Sequence, residues 1–220
     1  MPHLDLDGLN PKQYHAVMHS EGPLLVLAGA GSGKTRVITF RIARLLADGV
    51  SPKAILGVTF TNKAAKEMRE RLSHLVGKAG KEVMLSTFHS LGLSILKEEA
   101  ESVGLRKSFC IYDTSDQLGV IRELMKYHKV ADRRLDPGRI LDIILKTKRR
   151  RLKAVEFDWA DEYEFAASEL YPKYVEQMRA YNAVDFDDLM LRSMDALSVP
   201  EVAERWSTRY HFIMVDEYQD

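Results

Sequence analysis

The chain has 220 residues with 32 basic and 32 acidic side chains, so its formal net charge is zero. A hydrophobic fraction of 45% and a charged fraction of 29% lie near the averages for globular proteins, which excludes a wholly disordered or collagen-like chain. The balanced charge also argues against a uniformly basic nucleic-acid coat protein, so any nucleic-acid contact has to rely on local positive charge.

The sequence is typical of a cytoplasmic protein. Cys110 is the only cysteine, which excludes an intrachain disulfide and fits a reducing compartment. The N-terminal residues are acidic rather than basic, so we expect no secretory signal. The most apolar run, Leu24–Ala30, is far shorter than the roughly 20 residues of a membrane helix, so we expect no membrane contact.

The first part of the chain alternates between strand and helix patterns. The apolar run Leu24–Ala28 predicts a buried strand, and Ala54–Phe60 and Val83–Ser86 predict two more. Apolar residues recur at helical spacing after Gly33 and again over Lys63–Leu75, which predicts a helix after each of the first two strands. This order is typical of an α/β fold with a doubly wound parallel sheet.

The middle of the chain, from about Leu91 to Leu197, has mostly helical patterns. Asp136 and Pro137 predict a helix start, because Asp is a favoured N-cap and Pro is favoured at the first helical position. A basic block at 146–153 is followed by an acidic block at 156–164. The two blocks cancel in the net charge of the chain but not in space.

Near its end the chain returns to a strand pattern. The short apolar run Phe212–Val215 predicts a strand that rejoins the sheet. We therefore predict one α/β domain, formed by residues 1–90 and 184–220, with a mainly helical domain of residues 91–183 inserted into it.

A glycine-rich segment between the first strand and its helix matches the phosphate-binding loop, with Ala28 in place of the first glycine. In that motif, backbone N–H groups cradle phosphates, the lysine reaches the β- and γ-phosphates and the hydroxyl residue holds Mg²⁺. The alternative is a glycine-rich turn that matches by chance, which the flanking strand and helix patterns disfavour. We predict nucleotide binding by the residues of this loop, Ala28, Gly29, Ala30, Gly31, Ser32, Gly33, Lys34 and Thr35.

Two acids follow the last strand. In a protein with a phosphate-binding loop, Asp216 at this position would support Mg²⁺ together with Thr35. Glu217 would then act as a general base on water. The alternative is an acidic terminus exposed to solvent. Lys34 and Asp216 are 182 positions apart, which leaves room for an inserted domain between the two halves of the site.

Several further segments match one family in order along essentially the whole chain. They are Leu9–Gln13, Ala28–Thr35, Thr59–Ala65, Ser86–Ser90, Val184–Leu189 and Asp216–Asp220. With these segments the sequence resembles superfamily 1A DNA helicases of the UvrD/Rep/PcrA type. Residues 87–93 and 186–189 look most like Rep.

The resemblance implies a RecA-like P-loop NTPase domain with an inserted helical domain, and ATP with Mg²⁺ as cofactors. It implies that Gln13 reads the adenine and that Lys34 and Glu217 are catalytic. It further implies 3′-to-5′ translocation on single-stranded DNA and unwinding at single-strand/double-strand junctions, coupled to ATP hydrolysis. Family members continue into a second RecA-like domain that this chain lacks, so we expect the isolated chain not to unwind DNA.

The resemblance also assigns a single-strand track at the ends of the second and third strands, where ligands bind in open α/β sheets. Aromatic residues there would stack bases, and polar residues would bond phosphates or sugars. For the two phenylalanines the alternative is core packing, and for the histidine an ordinary structural role. The predicted DNA contacts are Phe60, Thr61, Asn62, Thr87, Phe88 and His89, with Lys148 and Arg149 from the basic block.

Two other functions stay open from the sequence. The isolated chain can be a nucleotide- and DNA-binding module that does not hydrolyse ATP by itself. A small-molecule P-loop kinase is the weaker alternative, because it gives no role to the segments around Phe60 and Phe88.

Overall fold

The computed structural model of the chain describes residues 4–128, 135–151 and 157–219. These residues form a mixed α/β structure that is mostly helical and contains a small parallel sheet. The chain divides into two compact units, one formed by Met1–Leu91 with Pro200–Asp220 and the other by Gly92–Val199. Within the described ranges, no helix is long and apolar enough to cross a membrane.

The described residues form helices and strands that are numbered here in chain order. They are α1 (Pro11–Met18), α2 (Lys34–Ala47), β1 (Ile55–Thr59), α3 (Asn62–Val76), α4 (Ala79–Glu82), β2 (Met84–Thr87), α5 (Phe88–Glu99), β3 (Cys110–Ile111), α6 (Thr114–His128), α7 (Pro137–Arg150), α8 (Glu162–Ala180), β4 (Ala183–Val184), α9 (Phe186–Leu197), α10 (Pro200–Arg209) and β5 (Phe212–Val215).

The first unit contains a three-stranded parallel sheet in the order β2-β1-β5. The central strand β1 is buried along its whole length, as its apolar run predicts. Buried side chains of α2 and α3 pack against the sheet, among them Ile42, Met68 and Leu72. The strands predicted at Ala54–Phe60, Val83–Ser86 and Phe212–Val215 are confirmed as β1, β2 and β5. The helices predicted after Gly33 and over Lys63–Leu75 are confirmed as α2 and α3.

The strand predicted at Leu24–Ala28 is wrong, because these residues form neither strand nor helix. Leu25 is 66% exposed and Leu27 is 87% exposed. A strand exists only through hydrogen bonds to a neighbouring strand, and no described strand pairs with this segment. The apolar run therefore has the composition of a buried strand, but no neighbouring strand among the described residues pairs with it.

The second unit is built around three helices, α6, α7 and α8. Their buried faces meet in one core that includes Ile121, Ile144 and Leu170. The predicted start of α7 is confirmed: the Asp136 side chain accepts a hydrogen bond from the Gly138 N–H at 3.0 Å, and Pro137 is the first helical residue. The short parallel pair β3-β4 adds the only strands among the described residues of this unit.

From the sequence, residues 184–199 are assigned to the first domain, and that boundary stays a prediction. By its contacts, helix α9 belongs to the second unit, Gly92–Val199. Two observations give the physical reason. Gly92 approaches α9 so closely that an added Cβ would lie 2.3 Å from the Leu189 carbonyl oxygen. Lys148 of α7 forms ion pairs with Asp185 and Asp188 at the start of α9.

Candidate nucleotide-binding site

The phosphate-loop motif forms a compact turn that leads directly into α2. Gly31 and Gly33 have φ angles of 74° and 88°, the left-handed region that glycine adopts without strain. The Ser32 N–H donates to the Gly29 carbonyl at 3.3 Å, and the Ser32 hydroxyl donates to the same oxygen at 2.7 Å. The loop is thereby presented at the N-terminus of a 14-residue helix, where free N–H groups and the helix dipole favour anions.

Lys34, the first residue of α2, is folded back over the loop. Its Nζ donates to the carbonyl oxygens of Ala28 at 3.3 Å and Gly29 at 3.4 Å. These are contacts to neutral acceptors, and a phosphate oxygen is a stronger acceptor for an ammonium group. The ammonium group is therefore held at the loop and is free to exchange carbonyls for phosphate.

Gln13 joins helix α1 to the phosphate loop. Its side-chain oxygen accepts from the Asn10 N–H at 3.0 Å, and Asn10 in turn accepts from the Gln13 N–H at 2.9 Å, which completes a capping box. The Gln13 Nε2 donates to the Ser32 carbonyl at 3.0 Å. These bonds use one of the two N–H groups and one of the two oxygen lone pairs, so the amide keeps a donor and an acceptor for an adenine.

The two halves of the predicted metal site meet in the structure. The Thr35 hydroxyl donates to the Asp216 Oδ2 at 3.0 Å. Asp216 is only 4% exposed, and its N–H donates to the Val58 carbonyl at 2.8 Å, which continues the pairing of β5 with β1. A hydroxyl and a carboxylate are the oxygen ligands that Mg²⁺ takes in such loops, so these residues fit the ion.

Glu217 follows with a strained backbone. Its φ is 53°, which is uncommon for a residue with a side chain. Its N–H contacts the Asp216 Oδ1 at 3.2 Å, and its Oε2 accepts from the Gln219 amide at 2.6 Å. The turn after β5 thus directs two adjacent carboxylates differently, with Asp216 towards Thr35 and Glu217 towards Gln219. Asp220 lies outside the described residues.

Replacing Gly33 with alanine should disrupt the loop, because the residue combines a φ of 88° with a close neighbour. An added Cβ would lie 2.8 Å from the Gln13 Nε2, so the link from Gln13 to Ser32 would have to move. We expect a loss of about 1–2 kcal/mol from the left-handed backbone alone, together with weaker nucleotide binding.

Thermal unfolding and nucleotide titration check the Gly33→Ala prediction. Gly22→Ala is a matched control, since Gly22 has a φ of 76° but no atom within 4 Å of an added Cβ. Equal nucleotide affinity in the two variants would contradict the role given to Gly33.

The segment between β1 and α3 presents its predicted DNA-contacting residues to solvent. Phe60 is 58% exposed, so core packing does not account for it. Thr61 caps α3 by accepting from the Ala64 N–H at 3.1 Å, and Asn62 is exposed at the first helical position. An exposed aromatic ring beside a helix N-terminus offers both base stacking and phosphate contact.

The predicted DNA contacts at the junction of β2 and α5 differ in their exposure. Thr87 is buried, donates to the Ser90 hydroxyl at 3.0 Å and accepts from the Ser90 N–H at 3.2 Å. Phe88 is half-buried and His89 is exposed. Of the three predicted contacts, His89 is the most accessible, while Thr87 is engaged in capping α5.

The basic block of the second unit is largely occupied by internal ion pairs. Lys148 is close to both Asp185 at 2.6 Å and Asp188 at 2.9 Å, and its side chain is only 12% exposed. Arg149 pairs with Asp187 at 3.0 Å. Lys153 lies outside the described residues.

Sequence reasoning missed the acidic partners of this block. Asp185 and Asp188 form a reciprocal capping box at the start of α9, with each carboxylate accepting the other residue's N–H. The Asp-x-x-Asp spacing is a recognisable cap signal. Lys148 reaches this cap because α7 packs against α9. Packing between two helices cannot be predicted from a local sequence pattern.

The family of the chain is identified by its similarity to known proteins. The model of the UvrD/REP helicase N-terminal domain matches residues 9–220. The ATP-dependent DNA helicase PcrA of Bacillus subtilis is 42% identical over 219 residues, which is 98% of this chain and 30% of that protein.

Two staphylococcal PcrA proteins are similarly related. That of Staphylococcus epidermidis is 41% identical over 216 residues, and that of Staphylococcus aureus is 40% identical over 219 residues. The match covers 96% and 98% of this chain respectively, so the chain spans about 30% of the length of these relatives. The likeness of residues 87–93 and 186–189 to Rep stays a prediction. The chain belongs to the UvrD/REP helicase N-terminal domain family.

Proposed function

We propose that the chain is the ATP- and DNA-binding N-terminal part of an ATP-dependent 3′-to-5′ DNA helicase, with a RecA-like first unit and an inserted helical domain. The observation that carries the proposal is the Thr35–Asp216 contact of 3.0 Å, which joins residues 181 positions apart directly beside the phosphate loop. A glycine-rich turn that matched by chance would not require a buried carboxylate at that place.

In the proposed nucleotide complex, each residue has one task. The N–H groups of the loop and the first turn of α2 bind phosphate oxygens, and Lys34 exchanges its carbonyl contacts for the β- and γ-phosphates. Thr35 and Asp216 would hold Mg²⁺, which neutralises phosphate charge when it is bound. Gln13 contacts the adenine through the second N–H of its amide, while the first stays with the Ser32 carbonyl.

Glu217 is the proposed general base. Hydrolysis requires a water molecule to lose a proton as it attacks the γ-phosphate, and a carboxylate beside the metal-binding aspartate is suitably placed to accept it. Its present partner, the Gln219 amide, is on the same turn and leaves the other carboxylate oxygen for water.

Single-stranded DNA is the proposed partner of the first unit, with Phe60, Asn62 and His89 as its accessible contacts. We do not propose Lys148 as a DNA contact, since two buried carboxylates hold its ammonium group. Junction binding and unwinding belong to a longer protein, in which a second RecA-like domain would complete the nucleotide cleft.

The second candidate is a binding module without hydrolysis. The chain spans about 30% of the length of its PcrA relatives. In this second candidate, the chain holds a nucleotide but does not supply all the groups that hydrolysis needs. The two functions share the phosphate loop and differ only in turnover.

A DNA-stimulated ATPase assay on this chain separates the two candidates. If the chain is hydrolytically competent, we expect phosphate release that rises with oligothymidylate and disappears in Glu217→Gln. Binding of Mg·ATP without turnover would favour the module. Failure of the chain to bind Mg·ATP at all would contradict both, and phosphorylation of a small acceptor would favour a kinase.

A further inference from the structure

Helix α3 carries basic side chains that no part of the proposed nucleotide site or DNA track uses. Together with α4 they line an open groove of about 590 Å³ on the first unit. The lining residues are Lys66, Arg69, Glu70, Ser73, His74 and Lys81.

The charges in this groove are poorly compensated. Glu70 is the only acid in the lining, and its distance from Lys66 is 3.9 Å between two exposed side chains. Arg69 donates to the Leu85 carbonyl, which is a neutral acceptor. Within the described ranges, no carboxylate lies within ion-pair distance of Arg69 or Lys81. The groove therefore has an excess of positive charge, with hydroxyl and imidazole donors between its cations.

A second concavity, in the second unit, differs in this respect. It occupies about 560 Å³ in the second unit and also contains three cations. There, however, Lys148 and Arg192 share Asp188, and Arg151 pairs with Asp195 at 3.0 Å. Its positive charge is already neutralised from within, so an incoming anion would first have to break ion pairs.

The position of the groove relates it to the proposed DNA track. Helix α3 starts at Asn62, directly after Phe60 and Thr61. With a rise of about 1.5 Å per residue, Lys66 lies roughly 6 Å and His74 roughly 18 Å along the axis from Asn62. Lys66, at the near end of the groove, therefore lies about one helical turn from the proposed DNA contact Asn62.

We infer that this groove binds backbone phosphates of single-stranded DNA and extends the track that starts at Phe60. The inference rests on the proposed DNA binding and adds to it a second, sequence-independent contact region. Because the cations are exposed, each contact is electrostatic and depends on salt.

The test compares oligothymidylates of increasing length, from about 4 to about 16 nucleotides, by fluorescence anisotropy with the full chain. The double variant Lys66→Gln/Lys81→Gln removes two exposed charges, and glutamine keeps a similar helix propensity. We expect short oligomers to bind as they do to the unmodified chain, and the long ones to bind roughly two- to thirtyfold more weakly. The slope of log affinity against log salt should fall by about 1.4 for the long oligomers only.

Lys97→Gln/Lys126→Gln is the matched control, since both lysines are exposed helical residues of the second unit and lie outside the groove. The control should bind every length normally, and Lys66→Arg/Lys81→Arg should restore long-oligomer binding. Equal weakening in the control would contradict DNA binding by the groove and would indicate a general effect of charge.

Two further results separate the groove from the proposed function. Unchanged affinity and salt slope in Lys66→Gln/Lys81→Gln would contradict DNA binding by the groove alone. Binding of short oligomers would still support the proposed DNA track at Phe60. Absence of binding at every length would overturn both. Displacement of long oligomers by polyglutamate at equal charge, with no length dependence for DNA, would assign the groove to acidic peptides instead.

Discussion

Replacing Lys34 with alanine should weaken Mg·ATP binding by about 10- to 150-fold while the chain keeps its fold. The expected loss corresponds to about 1.5–3 kcal/mol for a hydrogen bond between charged groups. Among the residues that the structure describes, the ammonium group contacts only the carbonyl oxygens of Ala28 and Gly29, at 3.3 and 3.4 Å. Its removal therefore leaves no buried charge without a partner, and far-ultraviolet circular dichroism should be unchanged.

Arg36→Ala is the matched control for Lys34→Ala. Arg36 is exposed two residues further along α2, and its guanidinium lies over the Phe40 ring at 5.3 Å rather than over the loop. It removes the same formal charge from the same helix, at a guanidinium that faces Phe40. Isothermal titration should therefore show near-normal affinity for Arg36→Ala. Similar losses in both variants would indicate a general effect of charge and would contradict a specific phosphate contact by Lys34.

The turn geometry of the phosphate-loop segment was predictable from sequence because its signals are local. A glycine-rich turn requires particular φ angles, and the order of residues from Gly29 to Thr35 fixes which atoms face the loop. The partner Asp216 was predictable for a related reason, since it follows an apolar strand that must return to the sheet. The contact of 3.0 Å between Thr35 and Asp216 agrees with that expectation.

Features that depend on pairing between distant elements were not predictable. The run Leu24–Ala28 has the composition of a buried strand, yet a strand needs a neighbour, and composition does not supply one. The basic block illustrates the same limit for charge. The sequence shows cations near Lys148, but only the packing of α7 against α9 shows that Asp185 and Asp188 neutralise it.

Because of this neutralisation, we expect removal of Lys148 to destabilise the second unit. The side chains of Asp185 and Asp188 are 2% and 7% exposed. Burial raises the pKa of the neighbouring Tyr174, and the charge of Asp185 raises it further, so the tyrosine stays protonated. The phenol lies 3.2 Å from the Gln117 Oε1 and 3.5 Å from the Asp185 Oδ2, so it supplies at most a weak second donor to the carboxylate.

Lys148→Met should therefore destabilise the second unit by about 3–5 kcal/mol, the cost of leaving the buried Asp185 carboxylate without a cation, while Asp188 keeps Arg192 at 3.4 Å. Arg149→Met is the matched control, because its pair with Asp187 is partly exposed and should contribute at most about 1 kcal/mol. Hydrogen exchange locates the effect, with faster exchange expected in α7 and α9 and little change in β1 and α3. Adding Asp185→Asn and Asp188→Asn to Lys148→Met should recover much of the loss, since asparagine keeps the cap without the charge. Equal stability of Lys148→Met and Arg149→Met would show that the buried carboxylates do not need this lysine, and would return its ammonium group to the candidates for DNA contact.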